Sequence, residues 1–206
     1  MRIVNAKFME SAQSIVDSPS PDLAEIAFLG RSNVGKSSLL NTLTNHKGLA
    51  KSSSTPGKTK LINFFEVEYQ TLEKDKFKCR FVDLPGFGYA KVSKSLKKDW
   101  DIKLTGFLEK RASLRIFIHL IDARHTNLAI DKNVDEFLNN MKKGDQIIVN
   151  AFTKIDKLKQ NDLAKLKRDN PNGIFISNLK KKGMQSLEKV ISDYIFKGIV
   201  EWNKII

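Results

Sequence analysis

From residue 25 onward, short apolar runs alternate with longer stretches whose apolar residues recur at helical spacing. That alternation is the pattern of strands joined by crossover helices. Strands are predicted at Glu25–Leu29, Leu61–Tyr69, Phe77–Asp83, Leu114–Asp122, Gln146–Phe152 and Gly173–Ile176, and helices near Lys36–Asn45, Ser93–Arg111, Ile130–Met141 and Asn161–Asp169. A last helix spans about Met184–Trp202, where Leu187, Val190, Ile191, Tyr194 and Ile195 share one face. The polar turn Gln70–Lys76 joins two strand runs, so Leu61–Tyr69 and Phe77–Val82 are expected to form an antiparallel hairpin at one sheet edge. The fold expected is α/β, with three α/β/α layers around a mostly parallel six-stranded sheet that has one antiparallel edge strand. Residues 1–24 read as a lead-in and 25–206 as a single domain. The least regular stretches, Ser18-Pro19-Ser20-Pro21 and Lys47–Lys60, read as loops.

Composition narrows the class. With 41% hydrophobic and 29% charged residues, the 206-residue chain suits a soluble domain with a sizeable core. Met1–Asp17 contains no apolar segment of signal-peptide length, and Ile116–Ile121 is interrupted by His119 and too short to span a bilayer, so a cytoplasmic protein is expected. Cys79 is the only cysteine, which excludes an internal disulfide and a cysteine-built zinc site; between Lys78 and Arg80 in a strand pattern it reads as a structural thiol.

Charge adds a partner class. A formal net charge of +13 attracts polyanions, with nucleic acid first among them. Lysine and arginine concentrate at Lys91–Arg111, with seven against three acids, and at Lys154–Lys189, with ten against four. Either cluster alone is also what a solvated helix face looks like. No basic amphipathic anchor or lipidation signal is evident, so no membrane partner is expected.

The chemistry begins at Gly30-Arg31-Ser32-Asn33-Val34-Gly35-Lys36-Ser37, which fits G-x-x-x-x-G-K-[ST] directly after a strand and before a helix. Its glycines let the backbone turn its N–H groups onto an anion, Lys36 can reach the terminal phosphates of a nucleoside triphosphate, and the Ser37 hydroxyl can ligate Mg²⁺. The helix that begins at Lys36-Ser37-Ser38 adds its positive end.

Three further segments follow in the order such a site requires. Asp83-Leu84-Pro85-Gly86 ends a strand 47 residues after Lys36; its aspartate is placed to hold Mg²⁺ through water and its glycine N–H to meet the γ-phosphate. Thr153-Lys154-Ile155-Asp156 supplies base selectivity, because the Asp156 carboxylate can accept from both N1–H and N2–H₂ of guanine, whereas adenine offers neither donor. The Lys154 stem can lie over the base. This motif usually begins with asparagine; Thr153 keeps a hydroxyl and lacks the amide, which leaves guanine selectivity intact and affinity open. Ile176-Ser177-Asn178, after the last strand, is placed to support the purine O6.

Ser54-Thr55-Pro56-Gly57-Lys58-Thr59 contains a second G-K-T, but Ser52 stands where a phosphate loop needs glycine and no strand precedes it. It suits a switch in which Thr59 brings hydroxyl and backbone groups to Mg²⁺ and the γ-phosphate. The expected nucleotide contacts thus comprise residues 30–38, Gly57-Lys58-Thr59-Lys60-Leu61, residues 83–86, 153–156 and 176–178, with Lys36, Thr59 and Gly86 at the reacting phosphate.

With these residues in hand, the chain closely resembles the EngB (YihA/YsxC) family of bacterial P-loop GTPases, of the translation-factor-related class. The resemblance rests on residues 30–39, Thr55-Pro56-Gly57-Lys58-Thr59, Asp83-Leu84-Pro85-Gly86-Phe87-Gly88-Tyr89-Ala90 and Thr153-Lys154-Ile155-Asp156, and it covers essentially the whole length. Thr at 153 is itself common in that family. The resemblance implies a G domain that binds GTP and GDP with Mg²⁺ on Ser37 and Thr59. It also implies a compact protein that assists assembly of the large ribosomal subunit, contacting precursor rRNA or ribosomal proteins, with loss affecting cell division and septation; a monomer is expected. Phe87 follows Gly86 where many small GTPases carry a water-orienting glutamine, which predicts slow intrinsic hydrolysis. Asn33 occupies a loop position where relatives can bind K⁺; a purely loop-shaping role stands beside that. Two alternatives of other classes stay open here: an RNA-binding assembly factor in which nucleotide is structural, and an ATP-dependent enzyme, which Asp156 opposes.

Overall fold

The computed structural model describes residues 1–50, 61–87 and 94–203, with side chains for all of these except 94–101 and 197–203. Among these residues seven strands form one sheet: β1 (Arg2–Ala12), β2 (Glu25–Gly30), β3 (Ile62–Gln70), β4 (Lys76–Asp83), β5 (Leu114–Asp122), β6 (Ile147–Thr153) and β7 (Ile174–Phe175). Their spatial order is β1-β3-β4-β2-β5-β6-β7. β2 pairs in parallel with both β4 and β5, β5 with β6, and β6 with β7, while β3 runs antiparallel to β4 and to β1. Among the described residues five helices accompany the sheet: α1 (Lys36–Leu43), α2 (Lys94–Lys110), α3 (Ala129–Met141), α4 (Gln160–Asp169) and α5 (Met184–Asn203).

Every residue of β2 is buried, and its side chains alternate between two cores. Ile26 and Phe28 join Leu39 and Leu40 of α1 and Leu187, Ile191 and Phe196 of α5 on one face. Ala27 and Leu29 join Phe107 of α2 and Leu138 of α3 on the other. These are the two helical layers that the alternating pattern predicts. A strand buried on both faces reads as a continuous apolar run, and for that reason β2 and β5 stand out in the sequence. Cys79 is fully buried in β4, and burial pushes its thiol well above the ordinary value, as a structural thiol requires. Among the described residues no helix is long and apolar enough to cross a membrane.

Two expectations change. The sheet has seven strands, one more than the six expected, because residues 2–12 of the supposed lead-in pair along the whole of β3. The antiparallel strand β3 therefore lies inside the sheet, and β1 takes the edge. In β1 only Ala6 and Ala12 are buried, and register shifts between Ile3 and Asn5 and between Phe8 and Glu10 break the two-residue period. Bulges of this kind remove the alternation by which a strand is recognised in sequence.

Candidate functional site

The parallel strands β2, β4, β5 and β6 end side by side at Gly30, Asp83, Asp122 and Thr153. In open α/β sheets the crevice beyond these carboxyl ends is where ligands sit. The loop after β2 reaches α1 through left-handed backbone at Asn33 (φ 62°) and Gly35 (φ 104°), and Gly35 begins the helix without any side-chain cap. The first-turn N–H groups of α1 are thus left for an anion, and the alternating backbone turns the loop amides inward.

Close packing explains two glycines. A Cβ on Gly30 would lie 2.8 Å from the Leu120 carbonyl oxygen, and one on Gly86 would lie 2.8 Å from Ser32 Oγ. Glycine at 86 lets the loop after β4 zip closely onto the phosphate loop, where a Cβ would also lie 3.1 Å from the Ser32 backbone. Phe87 N–H donates to the Gly30 carbonyl at 3.3 Å and Ser32 N–H donates to the Phe87 carbonyl at 3.2 Å. Phe87, half-buried, turns its ring toward the buried His119, with centroids 6.3 Å apart.

The motifs separated in sequence meet here. Lys36 Nζ donates to Asp83 Oδ1, and both side chains are at least nine-tenths buried. A buried ion pair of this kind gives little net stability, because the cost of desolvation offsets the attraction. Its partners can be exchanged: a phosphate can replace Asp83 on Lys36 without leaving that charge unpaired. Ser37 lies half-buried in the same helical turn.

At the end of β6, Thr153 is fully buried and its hydroxyl hydrogen-bonds to the Val34 carbonyl at 2.7 Å. Lys154 adopts left-handed backbone (φ 59°) and sends Nζ to the Asn33 carbonyl at 2.6 Å and to Asp122 Oδ2 at 2.9 Å. Burial alone would raise the Asp122 carboxyl, yet its bonds to Arg124 and Lys154 outweigh burial and hold it far below the ordinary carboxylate range. Asp156, in the short 3₁₀ turn Ile155–Lys157, accepts from Ser177 Oγ at 2.6 Å, and that bond chiefly lowers its pKa. An ionised, half-exposed Asp156 suits two donors on one ligand edge. Asn178 donates Nδ2 to the Gly35 carbonyl at 3.1 Å, and Ile155 N–H donates to the Ile176 carbonyl at 3.2 Å.

The structure therefore brings residues 30–38, 83–86, 153–156 and 176–178 together. Leu61 is exposed just before β3. Gly57, Lys58, Thr59 and Lys60 lie outside the described residues, as do Gly88, Tyr89 and Ala90. Two members of the site were not read from sequence. Asp122 clamps Lys154, and Asp131 at the start of α3, 2% exposed, accepts from Arg31 Nε at 3.1 Å. A carboxylate at the end of a buried strand was a usable signal for Asp122; nothing in the sequence pointed to Asp131. Burial raises the Asp131 carboxyl against the pull of Arg31.

Comparison with known proteins agrees with this geometry. A family model described as "50S ribosome-binding GTPase" matches residues 25–154. The "Probable GTP-binding protein EngB" of Aliarcobacter butzleri is 65% identical over 198 residues, covering 95% of this chain and 99% of that relative. The protein of the same name from Campylobacter lari is 58% identical, covering 92% and 94%. A crystal structure of a probable GTP-binding protein engB superposes with a TM-score of 0.61 at 25% identity, covering 84% of this chain and all of the other.

Proposed function

This chain belongs to the EngB family of P-loop GTPases, and from that premise we propose that it is a guanine-nucleotide switch in assembly of the large ribosomal subunit, required for normal cell division and septation. It would act in the cytoplasm as a monomer, with precursor rRNA or ribosomal proteins as its partners. The observation that carries the nucleotide part is the Asp156–Ser177 bond, which aims an ionised carboxylate outward beside a phosphate loop it touches through Thr153, Lys154 and Asn178. The ribosomal part is supported by the words "50S ribosome-binding" in the description of the matching family and by the +13 charge.

Phosphate-loop amides and Lys36 would bind the β- and γ-phosphates, and the Gly86 N–H would meet the γ-phosphate. Thr59 would complete that end. Among the described residues no three His, Cys, Asp or Glu side chains converge into a metal cage. The donors at hand are one hydroxyl, Ser37, and one carboxylate, Asp83. That sparse, hard-oxygen set fits Mg²⁺, which takes one or two protein oxygens and fills its shell with phosphate oxygens and water. When bound, Mg²⁺ neutralises charge developing on the phosphates. Phe87 cannot orient a water, so intrinsic turnover is slow and an assembly partner supplies the missing contact. A K⁺ ion on the Asn33 amide is part of the same proposal, adding positive charge at the phosphates.

GTP hydrolysis measured with and without large-subunit precursors tests the switch. Acceleration by precursors, with GDP and GTP forms differing in affinity for them, supports it. No acceleration together with equal affinity overturns it in favour of a structural nucleotide. Equal rates in KCl and NaCl would remove the K⁺ role, and displacement of labelled GDP by ATP would remove guanine selectivity.

A further inference from the structure

The two loops that would grip the base have an outer side with no assigned role. Residues 154–159 and 177–182 each contain three lysines, and their one acid is the base-reading Asp156. Lys157, Lys159, Lys180, Lys181 and Lys182 are all exposed. None of the five has a side-chain hydrogen bond or ion pair among the described residues. Lysines on β1 and β4 behave differently: Lys7 and Lys78 share Glu66, and Lys76 holds Glu68.

The second loop is built to present its charges. Ser177 and Lys182 exchange backbone hydrogen bonds at 3.1 and 3.0 Å, which closes a tight turn, and Lys181 at its apex sits in left-handed backbone (φ 50°). Non-glycine residues in that conformation cost free energy and cluster at functional sites. Leu179, 77% exposed, stands among the lysines. Both loops converge on one carboxylate: after the Ser177 bond, the charges of Lys157 and Lys180 also hold Asp156 low. Ser177 Oγ, which donates to Asp156, accepts from the Lys180 N–H at 3.1 Å, so the shape of the lysine turn and the bracing of the base reader depend on one hydroxyl.

We propose that the outer side of these two loops docks RNA phosphates, and that this docking is linked through Ser177 to retention of guanine nucleotide. It rests on the ribosomal reading above and names the surface that reading leaves open. Closely spaced, unpaired lysines suit a phosphodiester chain, whose charges repeat along a strand, and each contact releases condensed counterions. A strand held on Lys180–Lys182 fixes the turn and so keeps Ser177 against Asp156. By linkage, guanine nucleotide must then raise RNA affinity by the factor by which RNA raises nucleotide affinity.

The test uses the full chain, a short unstructured single-stranded RNA, and KCl titrations with and without GDP. Variant K180Q/K181Q/K182Q is compared with K7Q/K76Q/K78Q, which removes the same amount of charge from paired positions. The first is expected to lower the slope of log affinity against log salt by about 2, at roughly 0.7 per lost phosphate contact, while still binding GDP. The second leaves the slope near that of the unaltered protein. GDP is expected to raise RNA affinity of the unaltered protein about fivefold or more, and RNA to slow GDP release. Equal slope losses in both variants, or RNA binding indifferent to GDP, would overturn the proposal. If the unaltered protein ignores RNA at low salt yet binds large-subunit precursors, this surface is wrong while the ribosomal reading stands; if it binds neither, both fall.

Discussion

The two ends of the parallel strands treat buried charge in opposite ways. At the amino ends, Glu25 is completely buried and its carboxylate accepts from Arg111 Nη2 at 2.6 Å, Arg111 Nε at 2.8 Å and Arg80 Nη1 at 3.1 Å. Arg80 also reaches the Ser20 carbonyl and Asp22, and Arg111 lies over the rings of Phe64 and Phe107. At the carboxyl ends, each charge has one or two partners that a ligand can replace: Lys36 with Asp83, Lys154 with Asp122 and the Asn33 carbonyl, Asp156 with Ser177. A densely bonded network locks strand register, whereas a sparse one can change partners when phosphate and base arrive. Charge burial by itself therefore does not mark the site; replaceable partners do.

Removing Glu25 should break the locked end with the largest effect. Glu25→Ala leaves two buried guanidinium groups short of their counter-ion and is expected to cost about 3 to 5 kcal/mol in denaturant unfolding, with GDP affinity of the remaining folded protein unchanged. A smaller loss would mean that the arginines find other partners and that the network is no lock.

His119 exposes the opposite end to acid. It is fully buried in β5, neither ring nitrogen has a hydrogen-bond partner among the described residues, and Asp135 stays 3.9 Å from Nδ1. Burial pushes its pKa down to about 4, against the opposing pull of Asp135 and the neighbouring Asn150. The folded-state value lies below that of the unfolded chain, so the unfolded chain binds the proton first. Stability is expected to be full above about pH 6.5 and to decline as pH falls toward 4, by about 3 kcal/mol in total. Comparing unfolding free energies at both ends of that window for the unaltered protein and His119→Gln isolates this part; equal pH dependence would remove His119 from the account.

Asp156→Ala tests replaceability directly. Loss of both charge-assisted contacts to guanine is expected to weaken GDP binding about 100-fold, roughly 2.7 kcal/mol, in a labelled-nucleotide titration. Unfolding should change little, because the carboxylate is half-exposed and the Ser177 hydroxyl keeps its bond from the Lys180 N–H. Unaltered GDP affinity would place the base elsewhere.

How much of this was legible in sequence follows the same division. The phosphate loop, Asp83-x-x-Gly86 and Asp156 were readable because ligand chemistry demands particular residue types at strand ends, where buried apolar runs such as Leu114–Asp122 mark the position. β1 was not readable, since an edge strand with two bulges and exposed Val4 and Phe8 has no period to detect. Neither were Asp122–Lys154 and Arg31–Asp131, which join residues 32 and 100 positions apart. Pairings over such separations are set by strand order, and strand order was inferred only as a class of topology. The Thr153 hydroxyl was noticed without a partner, because the partner is a backbone carbonyl, which every residue has.

That hydroxyl is the finest point of the comparison. Thr153 could be a β-branched residue that merely ends a strand, in which case valine, of nearly the same shape, would serve as well. The structure gives the hydroxyl a specific role, because its 2.7 Å bond to the Val34 carbonyl, with a longer contact of 3.3 Å to the Ile121 carbonyl, ties the turn that carries Asp156 to the phosphate loop inside a fully buried region. Thr153→Val leaves the Val34 carbonyl without that donor, at a cost of about 1 kcal/mol. Because the lost bond joins the two halves of the nucleotide site, the cost should appear as GDP affinity about fivefold weaker by titration, with selectivity over ATP retained through Asp156. Loss of selectivity would instead show that Thr153 orients Asp156. Unchanged affinity would show that the two halves are held in register by Lys154 and Asn178 alone.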